Sequence, residues 1–489
     1  MTCWMAARMP ESWCRRCGWI VVFGVVAFAG TGNAAEGPRL TLPDVARLAL
    51  ATAGQGALAR ARFAEQRAQS AVHLAQGAFD WNVDVTGGYR RVALSGSSGG
   101  FLTTDIRFAN ILATSVTAAK LLDNGIRIRP GLVMSNGDDQ SRLASEMLRS
   151  QPLLQVEVPV DGSWGQPLEA LRLNAARSEL AATRLDGQHA RQLYLSQVMK
   201  SAWALLATQQ KYAATLSQAA VAEEIAARML RLTAAREVSQ MASDDVLARA
   251  QLRRNAVDQA ALELSAARLD LALLLLTDEA SVVGLDASFP APAQGLDDAR
   301  LARLVDEALS RRLDLQGESQ RIESAHQRAR IAQQEVDSRL TLQAGHDRLL
   351  LNWSKPLGEN RDLGAREQAL AEVGQASLQS EDLRRHIEVE VRMAHKRLLS
   401  SSQTIERMRP VVEKLRDRFG LVRQLVDQGQ QPPPALLDAA DQLSNAQRQL
   451  ADLELLHAET LADLHLATAS ISNEMTEPAM LARAFSSLP

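Results

Sequence analysis

Apolar positions along the chain recur first at helical spacing and then at alternating spacing, and the whole pattern comes twice. Leu42, Val45, Ala49, Leu50, Phe63 and Val72 return 259 residues later as Leu301, Leu304, Ala308, Leu309, Ile322 and Ile331. Self-similarity at a fixed offset marks an internal duplication and outranks local signals. Residues 42–76 read as helix. From about residue 79 the period shortens to two: Trp81, Val83, Val85 and Tyr89 alternate with Asn82, Asp84, Thr86 and Gly88, as a strand between two environments requires. Further strand-like runs cover 106–119, 126–134 and 153–160, with Ser/Gly-rich and Asn-Gly-Asp loops between them.

After Pro167 the chain runs to about Met241 with a single glycine and no proline. Roughly 75 residues at 1.5 Å each predict a helix of about 110 Å, which needs a partner along its length. The return segment supplies one. Val257, Ala260, Leu264, Ala267, Leu271 and Leu274 step by three and four, the seam of a coiled coil, and the two helices are expected to pack antiparallel. Ser243 and Asp244 in the turn between them, and Asp438 in its second-half counterpart, read as helix-start residues.

Phe289-Pro290-Ala291-Pro292 closes the first half. The second half repeats the plan, with a long helix over about 363–426 in which Pro410 predicts a kink. Its return helix carries Leu443, Ala446, Leu450, Leu453, His457, Thr460, Leu464, Ala467 and Ile471 at heptad spacing, and the polar members are expected to weaken that seam. The boundaries are therefore a first repeat over 36–295 with a β insert at about 80–160, a second over 296–475 with a short insert at about 338–357, and a tail over 476–489. A tilted membrane strand takes about 9–11 residues, so the second insert can barely supply two.

Composition adjusts this picture only at the edges. Of 489 residues 46% are hydrophobic, but aromatics are 4%, and the alanine-rich remainder suits helices in close approach. With 54 basic and 57 acidic residues the formal charge is -3, which offers nucleic acid no basic surface. Residues 1–35 read as a secretory signal, with Arg8, Arg15 and Arg16 ahead of an apolar run at 18–29 and cleavage expected after Ala35. All three cysteines, Cys3, Cys14 and Cys17, precede that run. Cys14 and Cys17 have metal or redox spacing without a second pair, and the segment is disposable. The eight histidines lack ligand spacing, and no phosphate loop or nucleophile elbow occurs. The sequence therefore offers no catalytic, cofactor-binding or metal residues, and the chain reads as non-enzymatic.

The order of elements resembles the TolC-type outer membrane efflux protein family. Residues 40–50, Leu-Thr-Leu-Pro-Asp-Val-Ala-Arg-Leu-Ala-Leu, look like that family's first repeat, and residues 304–315, Leu-Val-Asp-Glu-Ala-Leu-Ser-Arg-Arg-Leu-Asp-Leu, like its second. The strand-to-helix junctions at 158–162 and 355–359 are similar too. The resemblance implies a mostly α protein with a β membrane portion: duplicated long-helix hairpins form a trimeric periplasmic α-barrel beneath a shared outer membrane β-barrel. It implies an outer membrane location extending into the periplasm, a homotrimer in contact with outer membrane lipid, and a periplasmic adaptor and inner membrane pump as partners. No cofactor and no nucleic acid belong to that picture. The function implied is a passive exit duct of a tripartite efflux or type I secretion system; the alternative is a periplasmic coiled-coil structural or adaptor protein without a complete barrel.

In that family the two long-helix turns form the periplasmic tip. Asp244, Asp245, Gly429, Asp438 and Asp441 are the tip or gate candidates here, with Asp438 and Asp441 as a possible acidic ring. The second turn departs from the family at Pro432-Pro433-Pro434-Ala435, and Val426, Gln431 and Ala435 stand near where a tyrosine–arginine–aspartate latch is expected. Trp81, Tyr89, Phe101, Phe108 and Trp353 are candidate membrane-interface aromatics.

Overall fold

The computed structural model describes residues 39–52, 57–96, 105–138, 149–160, 166–293, 295, 297–337, 339–345, 349–355, 359–471, 477–485 and 487. The signal-like segment 1–35 and Phe101 lie outside them. In the first repeat, β1 (Leu40–Thr41) leads into α1 (Leu42–Thr52) and α2 (Ala57–Gln76). Four strands follow: β2 (Asn82–Gly96), β3 (Asp105–Leu121), β4 (Arg127–Asp138) and β5 (Arg149–Pro159). Then come α3 (Leu168–Ala234), α4 (Gln240–Leu275) and β6 (Leu285–Asp286). The second repeat comprises α5 (Asp298–Arg311), α6 (Leu313–Val336), β7 (Arg339–Ala344), β8 (Leu349–Ser354), α7 (Glu359–Asp427) and α8 (Pro434–Ala467), before a closing α9 (Pro478–Ala484).

The duplication is visible as matching cores. Val45 and Ala49 of α1 are buried in one cluster with Val198, Ala202 and Leu206 of α3. Leu304 and Ala308 of α5 are buried in another with Val391, Ala394 and Leu398 of α7. Alanine at the shared positions lets the backbones approach while the larger Leu, Val and Trp203 fill the space between. Trp203 is fully buried, and its ring stacks on Phe289 of the inter-repeat linker at a centroid distance of 5.8 Å. β1 and β6 pair in parallel, Leu40 with Leu285 and Thr41 with Asp286, and so join the start of the first repeat to its end.

The 67 residues of α3 make a rod of about 100 Å. It packs along α4, α6 and α8, so both hairpins share one long support. The seam polar groups do not leave a gap. His457 is buried with its Nδ1 3.0 Å from the Ser401 hydroxyl, and its Nε2 donates to the Ala291 carbonyl at 3.3 Å. Thr460 donates to Leu456 of its own helix at 2.7 Å. Each polar member of the heptad is satisfied, which removes the cost of burying it.

Two expectations are corrected. The first turn ends earlier than Met241: α3 stops at Ala234, and Ser239 caps α4 by accepting from the Ala242 amide at 3.4 Å. Ser243 is therefore a buried residue inside α4, and Asp244 lies beyond its start. Asp438 likewise sits in the second turn of α8, whose first residue is Pro434, where the missing amide donor of proline costs nothing. Pro410 lies in the interior of α7, at the position where the sequence places the kink.

The principal sheet has the order β2-β3-β4-β5-β7-β8, with every neighbouring pair antiparallel. The β3–β4 turn places Gly125 at φ 88, with the Asn124 side chain accepting from the Ile126 amide at 3.2 Å. Gly131 of β4 approaches so near that a Cβ there would lie 2.8 Å from the Thr117 methyl. The second repeat supplies the two strands its short insert allows, of six residues each.

The tail is docked. Leu481, Ala482 and Phe485 are buried, and His465 of α8 lies 2.6 Å from the Ser470 hydroxyl and 2.7 Å from the Ser487 carbonyl. Burial pushes the His465 imidazole below its ordinary value of 6.5, outweighing the opposing hydrogen bond to Ser487. The folded chain thus resists a proton that the unfolded chain accepts. The stabilisation is complete above the ordinary value and is lost as pH falls from there through the lowered folded value. Protection factors at α9, taken relative to the intrinsic exchange rate at each pH, are expected to fall on acidification from pH 7 to 5, and a His465→Gln chain is expected to show a flatter response.

Candidate functional site: a two-faced sheet and a helical tip

Two places carry unusual chemistry, and they stand at opposite ends of α3. At the sheet end, alternation along β2 sets Trp81, Val83, Val85 and Tyr89 on one face and Asn82, Asp84 and Thr86 on the other. The register carries that division across the sheet. Val85 stands opposite Val116, Val116 opposite Leu132, Pro130 opposite Leu154, Ile128 opposite Val156, Val158 opposite Leu342, and Leu342 opposite Leu351. Val83, Val85, Tyr89, Val116, Met134, Leu154, Leu351 and Trp353 on this face are all exposed.

The other face is polar and bonded to itself. Thr86 and Ser115 hydroxyls are 2.6 Å apart, Gln155 donates to Gln343 at 3.2 Å, and Arg127 pairs with Glu157 at 3.8 Å. Leu121, Val133, Leu153 and Leu350 are apolar members of this face, Leu121 opposite Arg127, Val133 opposite Ser115 and Leu350 opposite Gln343. An apolar face left open by the chain's own helices is the arrangement of a sheet with lipid on one side and water on the other.

The aromatic candidates divide. Trp81 and Trp353 sit towards the helix end of the apolar face, and the Lys120 ammonium lies 5.5 Å from the Trp81 ring centroid, a cation–π contact that lets a lysine remain on an apolar surface. Tyr89 is eight residues above Trp81, about 26 Å along a strand. The pair thus brackets an apolar band of membrane proportions. Phe108 belongs to β3, but its side chain, like Phe101, lies outside the described residues.

At the other end the two helical hairpins meet. Ile225 and Met229 of α3, Val246 of α4, Val422 and Val426 of α7, and Leu436 and Leu437 of α8 form one buried cluster. Both long helices end in the same capping pattern. The Gln430 amide bonds the Leu425 carbonyl at 2.9 Å with Gly429 at φ 74, and the Glu237 amide bonds the Leu232 carbonyl at 3.0 Å with Arg236 at φ 62. Gly429 therefore has a structural role, since glycine takes the left-handed conformation without steric cost.

Charges lock the tip. Arg228 pairs with Asp427, and Arg423 with Glu224, each at 3.2 Å, so α3 and α7 are tied in both directions. Arg228 also donates to the Val426 carbonyl at 3.2 Å. Asp441 accepts from Arg253 on both oxygens, at 3.1 and 2.6 Å, and from Gln218 at 2.5 Å. Asp438 and Asp245 both face Arg249, at 3.3 and 3.1 Å. Asp441 is therefore not the uncompensated carboxylate that an acidic ring calls for, and Asp438 is partly offset. Asp244 is exposed and forms no ion pair among the described residues. Val426 is buried in the tip cluster, while Gln431 and Ala435 lie at its edge. Arg249 stands four residues from Asp245 on the same helix, but the arginines that answer Asp427, Asp438 and Asp441 lie on α3 and α4, remote from them in sequence, and no local signal announces those pairs.

No group of three or more metal-ligating side chains occurs among the described residues. A cleft between α3, α7 and α8 is lined by His189, Arg312, Glu390, Arg397 and Asp463. Arg312 is engaged by Asp314 and Glu390, and Asp463 by Lys200. No helix among the described residues is long and apolar enough to cross a membrane.

The fold is that of the solved outer membrane channels. The chain is similar to the Campylobacter jejuni CmeC outer membrane channel at 13% identity and a TM-score of 0.63, over 92% of this chain and 90% of that one. It is similar to the Vibrio cholerae outer membrane protein VceC at 15% identity and 0.62, over 87% and 96%. The open-state Neisseria gonorrhoeae MtrE outer membrane channel aligns at 14% and 0.57, over 87% and 88%. No protein-family model matches the sequence, and no curated protein does.

The tip ion pairs differ in exposure, and so should their energies. Arg253–Asp441, with its carboxylate side chain 18% exposed, is expected to show a double-mutant coupling of about 1–2 kcal/mol, and Arg249–Asp438, at 61%, less than about 1. Gly429→Ala is expected to cost about 1–2 kcal/mol. Denaturant titration of the purified variants checks both statements.

Proposed function

We propose that this chain is the subunit of an outer membrane channel, a passive exit duct through which an inner membrane pump, joined by a periplasmic adaptor, expels small molecules or secreted proteins. The observation that carries the reading is the open apolar face spread over six strands. A periplasmic adaptor or scaffold has no use for such a surface, which in water invites aggregation. In lipid the same face is stable, provided that the sheet is closed. One chain does not close it, because among the described residues β2 and β8 are edges without an outer neighbour. Copies of the same chain can, and a homotrimer, as the resemblance implies, would set six helical units around a bore.

In this reading Trp81 and Trp353 lie near the periplasmic interface and Tyr89 at the outer one. Asp244, Asp245, Gly429, Asp438 and Asp441 belong to the periplasmic tip that meets the adaptor and narrows the duct. Residues 1–35 direct export.

Cell fractionation tests the proposal: the protein is expected in the outer membrane as a detergent-requiring oligomer. Recovery as a soluble periplasmic monomer would contradict it and favour the scaffold alternative. In planar bilayers, Arg228→Ala with Arg423→Ala is expected to raise single-channel conductance by freeing the tip. Neutralising Asp244 and Asp438 is expected to reduce cation preference, whereas replacing Arg253 and Asp441 together by alanine, which removes a neutral pair, leaves selectivity unchanged.

A further inference from the structure

β5 is paired unequally on its two sides. β4 accompanies it from Arg149 to Glu157, whereas β7 accompanies it only from Val156 to Pro159. Among the described residues, no strand covers 149–155 on the β7 side. Such an edge leaves backbone donors and acceptors unpaired, which hydrocarbon does not tolerate.

The β7–β8 hairpin cannot fill that gap. Each of its strands has six residues, about 20 Å of extended chain, short of a hydrocarbon core of about 30 Å even without tilt. The first-repeat strands have 15, 17, 12 and 11 residues. The register places the end of the hairpin. Lys120 stands opposite Ile128, Ile128 opposite Val156, and Val156 opposite Ala344, the last residue of β7. Lys120 is also the residue whose ammonium covers Trp81. The hairpin therefore stops in the row of Trp81 and Lys120, and among the described residues the rows above it hold β2, β3, β4 and β5 alone.

β2 is the complementary element. Its outer edge is free, it starts at Asn82 in the row above the hairpin, and it runs away from the helices while β5 runs towards them. A β2 laid against β5 would thus be antiparallel, like every other pair in the sheet. Resting on the channel reading, we infer that residues 149–155 of β5 pair with β2 of a second copy of this chain. Each chain then gives the membrane wall four strands, all from its first repeat. The β7–β8 hairpin is left as a collar at the helix end of the sheet. This accounts for the unequal inserts: the first repeat has taken over the spanning strands of both.

Cysteine occurs only at 3, 14 and 17, so paired cysteines report cleanly in the exported full-length protein. Leu154→Cys in β5 is combined in turn with cysteine at each position from Asn82 to Tyr89 of β2, and Leu351→Cys in β8 is combined with the same series. Membranes are oxidised mildly and resolved on denaturing gels. The inference expects the β5 series to shift the monomer band into intermolecular dimers and trimers, and the β8 series to leave it in place. The reverse pattern overturns it. For the unmodified protein, electron cryomicroscopy of the bilayer-embedded assembly is expected to show four crossing strands per chain. Six strands per chain overturn the inference and leave the channel reading standing, whereas a protein that never enters the membrane overturns both.

Discussion

The structure depends on one constraint: in lipid, a strand edge without a partner cannot persist. Everything distinctive at the sheet end follows from it. The apolar face is stable only where water is absent, and water can be absent only if each backbone amide has found a carbonyl. Among the described residues β2 and β8 have no outer neighbour, so the membrane wall is complete only as part of a larger ring. The polar face, with its Thr86–Ser115 and Arg127–Glu157 pairs, then lines an aqueous interior rather than a core.

The helical portion solves a different problem. A rod of the length of α3 has far too little core of its own, so it buries its alanine-rich stripes against α4, α6 and α8 together. Duplication makes this economical, since equivalent residues such as Val45 and Leu304, or Ala202 and Ala394, do the same packing twice. The buried polar groups of the seam, His457 and Thr460, are each satisfied by a nearby serine or backbone carbonyl. They fix alignment without opening the interface. At the tip, where the apolar cluster is small, paired arginines and carboxylates hold the hairpins in register.

Much of this was legible in the sequence, and what was not has identifiable causes. The 3.6-to-2 change of period near Trp81 located the sheet, because alternation between lipid and water writes itself into every second residue. The long helices were legible from the absence of proline and glycine, and the seams from heptad spacing. The turn after α3 was placed several residues late, because Arg236 occupies a left-handed position that sequence usually marks with glycine. The parallel β1–β6 pair and the docking of α9 left no local trace, since both depend on contacts between segments far apart. The same holds for Arg249 and Arg253. Asp438 and Asp441 could be named from the turn, but their neutralisation by residues of another helix could not.

What unites these observations is the claim that the outer edge of β2 is closed by another copy of the chain within a membrane. Amide hydrogen exchange along β2 of the lipid-reconstituted protein tests it most directly. The account predicts that the β2 amides pointing away from β3 are as protected as those pointing towards it. Fast exchange at the outward amides, with slow exchange at the inward ones, would show a free edge in water and contradict the account.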